Sequence, residues 1–306
     1  MLRSAFIGLS QNRQMRAFSE RSAVGRKLSG RFVAGMTVAE AIGACEALNR
    51  EGISVTLDSL GESVTEEGQA RESAEIYHQL LDAIESRRLN ANVSVKLSQV
   101  GMDIHPELAE SIVGEMVGHA AAVDSFVRID MEGSPYTEAT IVMTERLHAR
   151  PGMKGRVGTV LQAYLYRTAD DAKRLVAQGI RIRLCKGAYK EPAEIAFPRK
   201  RDVDVNYVAL MTYLASSGVF CGIATHDEQI VGAMRRFVSE TGLPKSSFEF
   251  QMLYGIRRDL QRQLLKEGFG VRVYLPFGAE WYPYFMRRLA ERPANVLFLA
   301  KNFFKS

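Results

Sequence analysis

The chain is short of the residues from which many sites are built, with three cysteines and five histidines among 306 residues. Cys45, Cys185 and Cys221 lie far apart, with no CxxC and no Cys/His spacing. They read as small buried hydrophobes of a reducing compartment, and no metal site is expected. No apolar run approaches the roughly 20 residues of a membrane-spanning helix, which excludes an integral helical membrane protein but not a peripheral one. GxSxG and GxxxxGK[ST] are absent, and no GxGxxG follows the first strand-like run. A nucleophile elbow, a P-loop and a Rossmann dinucleotide turn are therefore disfavoured. The formal charge of +5 permits attraction to anionic membranes or ligands and does not suggest a nucleic-acid partner.

What is present is ordinary globular composition, 46% apolar and 25% charged, in a length that suits one large α/β barrel or two smaller domains. The first 36 residues hold seven arginines or lysines and a single acid, Glu20. That composition reads as a basic, partly helical arm, with a transit peptide or a membrane-touching amphipathic segment as the alternatives.

Eight β-rich runs follow one another: residues 53–62, 92–99, 125–134, 156–165, 179–189, 218–227, 247–255 and 270–278. Helix-patterned segments separate them, among them "ADDAKRLVAQG" behind Thr168, a candidate N-cap. Strand and helix alternating eight times predict an α/β chain folded as a (βα)8 barrel over residues 51–306, preceded by a helical arm over 1–50, in a single domain. A doubly wound sheet is the alternative.

In such a barrel, the residues at the C-terminal ends of the strands face the active-site mouth. Here they are Asp58, Glu62, Lys96, Asp130, Glu132, Gln162, Arg183, Lys186, Thr225, His226, Asp227, Gln251 and Tyr274. With only His226 at a strand exit, no multi-histidine metal cage forms there. Lys96, depressed in pKa by burial, would suit a Schiff-base lyase or aldolase. The cations say more. Lys96, Arg183, Lys186, Arg287 and Arg288 would converge on one mouth, an excess of positive charge calling for a pyrophosphate and a carboxylate. In "WYPYFMRRLAERP", Tyr284, Arg287, Arg288 and Glu291 stand at i, i+3, i+4 and i+7 of a helix, one arc on which two guanidinium groups form a carboxylate clamp, with Phe285 and Leu289 on a neighbouring face that packs on the barrel.

In order along the chain stand "VTLDSLGE", "VSVKLSQ", "VRIDMEGS", "VLQAY", "RLCKGAY", "ATHD", "EFQMLYG", "YLPFG" and "YFMRRLAERP". Together they resemble the proline dehydrogenase family, over residues 32–301, in its compact monofunctional bacterial form. The resemblance implies a distorted (βα)8 TIM-type barrel, non-covalent FAD at the mouth and a last helix lying over it. It implies oxidation of L-proline to Δ1-pyrroline-5-carboxylate with electrons passed to a membrane quinone, and a cytoplasmic enzyme with peripheral contact at the inner membrane surface. Carried onto this chain, Arg287 and Arg288 would hold the proline carboxylate, steadied by Glu291 and Glu62. Lys96, Tyr274, Tyr284 and Leu253 would surround the ring, and Asp130 and Arg183 would form the catalytic pair. Met131, Gln162, Arg183, Lys186, Gly187, Ala188, Thr225 and His226 would contact FAD.

Overall fold

A computed structural model describes residues 30–291, with 287–291 as helix backbone only. Eight parallel strands close into a barrel in sequence order: β1 (Ser54–Ser59), β2 (Ala91–Val95), β3 (Val127–Ile129), β4 (Val157–Gln162), β5 (Arg181–Cys185), β6 (Cys221–Ala224), β7 (Phe248–Leu253) and β8 (Gly270–Phe277). The seam between β1 and β8 runs in register from Ser54 opposite Arg272 to Ser59 opposite Phe277. The strands are shorter than the β-rich runs that announce them, because each run continues past the ladder into the loop that builds the mouth.

Around the barrel lie α1 (Val38–Arg50), α2 (Glu67–Ser86), α3 (Pro106–Ala122), α4 (Thr137–Ala149), α5 (Thr168–Ala177), α6 (Lys200–Ser216), α7 (Glu228–Thr241) and α8 (Arg258–Lys266). Their apolar stripes explain the ring. In α2, Ala70, Ala74, Tyr77, Leu80, Leu81 and Ile84 recur at helical spacing and are all buried. They meet the outward side chains of the strands, such as Val55 and Leu57 of β1 and Val93 and Val95 of β2, in an extended apolar layer between sheet and helices. α1 begins at a capping box, Thr37 with Glu40, and buries Ala41, Ile42 and Cys45. Thr168 is not the cap of α5. It is the first helical residue, Arg167 occupies the cap position, and the Thr168 hydroxyl donates to the Gln162 carbonyl at 2.6 Å.

At the seam the helix ring departs from the simple order. α1, which precedes the first strand, packs against β1 and β8. The helix after β8, α9 (Trp281–Glu291), lies elsewhere: Trp281, Tyr282, Tyr284, Phe285 and Met286 pack with Phe32, Val33, Leu60 and Ile256. Leu60 and Ile256 belong to loops leaving β1 and β7, so α9 covers the C-terminal mouth. Tyr284 and Phe285 are both buried, on neighbouring faces about 100° apart, so the packed side of α9 is wider than a single narrow stripe. Phe32 sets its ring against Phe285 of α9, with centroids 6.0 Å apart. Residues 1–29 of the arm, and the side chains of Arg287, Arg288, Leu289 and Glu291, lie outside the described residues.

The inward faces are polar where a barrel of this type usually packs branched apolar chains. Thr56 and Asp58, Asn92 and Ser94, Arg128, Arg183, Glu249 and Gln251 are all buried. Two glycines make room for them. A Cβ at Gly158 of β4 would run into the Arg181 carbonyl oxygen and press on the Arg128 guanidinium, and one at Gly222 of β6 would run into the Gln251 amide. Gly158→Ala is therefore expected to cost about 1–3 kcal/mol of unfolding free energy in a urea titration, whereas Ala at Gly43, which has open space around it, should be neutral or better.

Candidate active site

Asp130, just beyond β3, is the hub of the mouth. Its Oδ1 accepts from the Ser94 hydroxyl at 2.6 Å and from Arg183 at 2.8 Å, and its Oδ2 accepts from the Tyr274 hydroxyl at 2.8 Å. Burial alone would raise its pKa, but Arg183, Lys96 and these hydrogen bonds outweigh it and hold the carboxyl below the ordinary range. The Arg183 Nε donates to Gln251 at 2.5 Å, and its guanidinium lies over the Tyr274 ring at 5.2 Å. The network continues inward: Gln251 donates to Glu249 at 2.7 Å, Arg272 donates to Glu249 at 2.6 Å and to Asn92 at 2.9 Å, and Thr56 donates to Asn92 at 2.8 Å. A polar chain thus links the mouth to the barrel interior.

Beside it, Lys96 donates to Asp58 at 3.0 Å. Burial pushes the Asp58 carboxyl up to about 6, with Lys96 pulling it back and Asp130 adding repulsion. For Lys96 burial acts to lower the pKa, yet Asp58 and Asp130 together with the hydrogen bond to Asp58 raise it above the ordinary value. This reverses the expectation from sequence. A lysine locked as ammonium is a poor Schiff-base nucleophile, and the lyase reading loses its support.

Three of the five expected cations are matched by carboxylates, while the side chains of Arg287 and Arg288 lie outside the described residues. Lys96 is matched by Asp58, Arg183 by Asp130, and Lys186 by both Asp204 at 2.5 Å and Asp227 at 2.8 Å. Lys200 adds a second ammonium to Asp204. Asp58, Asp130 and Asp227 stand at strand exits one or two strands away from their partners and Asp204 on α6, so the strand ends announce three of the four carboxylates but not which cation each one pairs with.

The sequence comparisons bear on this mouth directly. The family model described as proline dehydrogenase matches residues 41–301. This chain belongs to the proline dehydrogenase family. It is 41% identical to "Proline dehydrogenase 1" of Bacillus subtilis strain 168 over the full length of both chains. It is 42% identical to the Deinococcus radiodurans proline dehydrogenase, covering 91% of this chain and 90% of that one. Among solved structures it is similar in fold to proline utilization A from Bdellovibrio bacteriovorus inactivated by N-propargylglycine, with a TM-score of 0.83 at 22% identity. That match covers 94% of this chain and 36% of the longer protein.

As a proline dehydrogenase family member, the chain gathers most of the residues singled out from its sequence at one end of the barrel. Asp130, Arg183 and Tyr274 are in direct contact, as above. Leu253 and Tyr284 belong to the apolar cluster beneath α9. Glu62, exposed in the loop after β1, adds to the raising of the Lys96 pKa, which places it on that side of the rim. Gln162, ending β4, is buried and donates to the Glu132 carbonyl at 3.0 Å, while Met131 and Thr225 are buried at the exits of β3 and β6. His226 accepts on Nε2 from the Leu253 amide at 2.9 Å, which sets the proton on Nδ1. Lys186 and Gly187 are partly exposed and Ala188 is exposed in the loop after β5. Gly187 sits at φ +114°, where a Cβ would strike the Tyr164 ring, so this loop needs glycine twice over. Sequence reasoning placed Asp58 and Gln251 on the rim without a role, and missed Ser94 and Asp204 altogether. Ser94 was legible, standing two residues before Lys96 on the same strand face; Asp204, on α6, was not.

The Asp58–Lys96 pair yields a test with a worked sign. Lys96→Met strands a buried carboxylate and should cost about 3–5 kcal/mol of stability near pH 7.5. Asp58 is already pushed up to about 6 with Lys96 pulling it back, and without the lysine it takes its proton at higher pH still, so the deficit should shrink as pH falls toward about 6 and change little below it. Denaturant midpoints across that range, with Asp58→Asn/Lys96→Met as a largely rescued double variant, check it.

Proposed function

We propose that this enzyme catalyses the FAD-dependent oxidation of L-proline to Δ1-pyrroline-5-carboxylate and passes the electrons to a membrane quinone. The observation that carries the reading is the buried Asp130–Arg183 pair capped by Tyr274 at a barrel mouth whose family is established. The donor set fits a non-covalent flavin dinucleotide. Gly187 and Ala188 give closely approachable backbone at the loop after β5, with the Lys186 ammonium held beside it by Asp204 and Asp227, and the loops after β4 and β5 expose the Tyr166 and Tyr189 rings, at 46% and 42%, as stacking surface. Arg183, Lys186, Gly187, Ala188, Thr225, His226, Gln162 and Met131 would hold it. Bound there, FAD supplies the hydride acceptor.

The chain's own residues prepare the substrate. Proline loses a hydride from C5 and a proton from nitrogen, so the amine must react neutral, with its lone pair free. The Lys96 ammonium, pinned by Asp58, disfavours a second ammonium beside it and selects the neutral amine. Tyr274 is held by Asp130 with the Arg183 guanidinium over its ring, and Leu253 and Tyr284 would close the apolar flank of the proline ring. Arg287 and Arg288, carried on α9 over that space, would clamp the carboxylate, with Glu291 and Glu62 steadying them. Among the described residues no helix is long and apolar enough to cross a membrane. Contact with a quinone in the inner membrane would then be peripheral, from the cytoplasmic side, and favoured by the net charge of +5.

The clamp is testable. Arg287→Met and Arg288→Met should each leave FAD stoichiometry intact and lower kcat/KM for proline on the order of 10- to 150-fold, the loss of one charge-assisted hydrogen bond. Tetrahydrofuroic acid, which has the carboxylate and lacks the amine, should inhibit the parent enzyme competitively and both variants hardly at all. An unchanged KM for proline in both variants would sink the clamp. FAD should also separate from the polypeptide on acid precipitation, and flavin remaining on the peptide would contradict non-covalent binding.

A further inference from the structure

At the end of the barrel opposite the mouth lies a cavity of about 50 Å³ that the oxidation of proline does not use. Four guanidinium groups face it, those of Arg128, Arg181, Arg183 and Arg272, against the single carboxylate of Glu249. Two of the four are already matched: Arg272 by Glu249 at 2.6 Å and Arg183 by Asp130 at 2.8 Å. Among the described residues, no carboxylate pairs with Arg128 or Arg181.

Arg128 is the informative one. It is only 4% exposed, and its NH1 donates to two backbone carbonyls, Thr159 at 2.8 Å and Arg181 at 2.6 Å. Its Nε, also buried, has no hydrogen-bond partner. Both arginines rest on the Phe126 ring, at 4.7 and 5.4 Å, which offers polarisation and no counter-charge. A guanidinium does not shed its proton at physiological pH, so it cannot escape the cost of burial by neutralising itself. An uncompensated buried cation is costly, and a counter-ion removes the cost. The room is built in: Gly158 lacks the Cβ that would press on the Arg128 guanidinium. One water needs about 10–15 Å³ measured in this way, so the space suits one small anion or a few waters and is too small for a nucleotide or a sugar phosphate. Arg181, exposed, and Phe220, half-buried, lie at the N-terminal end and mark the way in from solvent.

We propose that this cavity binds a small monovalent anion, a halide or a formate-sized carboxylate, held by Arg128 and Arg181 as a structural counter-ion beneath the active site. Holoenzyme in gluconate buffer, whose anion is too large to enter, is titrated with chloride and separately with formate at constant ionic strength, following Tm. A saturable rise on the order of a few degrees is expected, and the stronger of the two responses identifies the kind of anion. Bromide-soaked crystals should show an anomalous peak beside Arg128 Nε. Arg128→Met should abolish the saturable response. Arg181→Gln, at the exposed rim, should fold normally and raise the half-saturating concentration by roughly tenfold or more, which keeps the test decisive if the buried variant does not fold. A Tm that follows ionic strength alone would overturn the proposal and leave a water-filled cavity. So would a bromide peak without saturable stabilisation, which is an adventitious ion only, or a response unchanged in Arg181→Gln.

Discussion

Everything at the mouth of this barrel depends on the pairing of Asp130 with Arg183 inside it. The two side chains come from the exit of β3 and from β5, and closure of the barrel brings them to 2.8 Å. Asp130 spends its oxygens on Ser94, Arg183 and Tyr274, and Arg183 gives its Nε proton to Gln251. Such a network is stable only when complete, since one missing partner leaves a buried charge whose desolvation is no longer offset. Completeness is what fixes the orientation of Tyr274 and Arg183 at the mouth.

The polar interior has a structural consequence. In this fold the apolar driving force comes from the layer between strands and helices, where Val55, Leu57, Val93 and Val95 meet the stripes of α1, α2 and α3. The inside is then free to carry charge. Glycines at Gly158 and Gly222 replace the branched side chains that would otherwise fill it, and long polar side chains from β3 and β7 occupy the space. Stability and chemistry are assigned to opposite faces of the same strands, separated by the period-two alternation of the β-backbone.

The displaced last helix follows the same logic. A ring helix is needed beside the β1–β8 seam to cover Leu275 and Phe277, and α1 supplies it from the N-terminal side. α9 is released to lie over the mouth, where Trp281, Tyr284 and Phe285 bury themselves against Leu60, Ile256 and Phe32. A helix seated by aromatic packing on loops from β1 and β7 carries Arg287 and Arg288 over the site on a rigid element.

Strand number, order and the positions of the mouth residues were legible from the sequence because they depend on local periodicity: apolar residues every second position, helical stripes between, and polar residues where each run ends. The family motifs are of the same local kind, and Asp130, Arg183, Tyr274 and Lys96 fall where those motifs place them. Pairing across the barrel was not legible. That Asp58 locks Lys96 as an ammonium, and that Asp204 and Asp227 neutralise Lys186, are contacts between residues separated by 18 to 41 positions along the chain. Only closure of the sheet brings such groups within hydrogen-bonding distance. The sign of a pKa shift, and the balance of charge in the mouth, therefore belong to the tertiary structure, because Coulomb energy depends on separation in space and on burial, neither of which a linear pattern encodes.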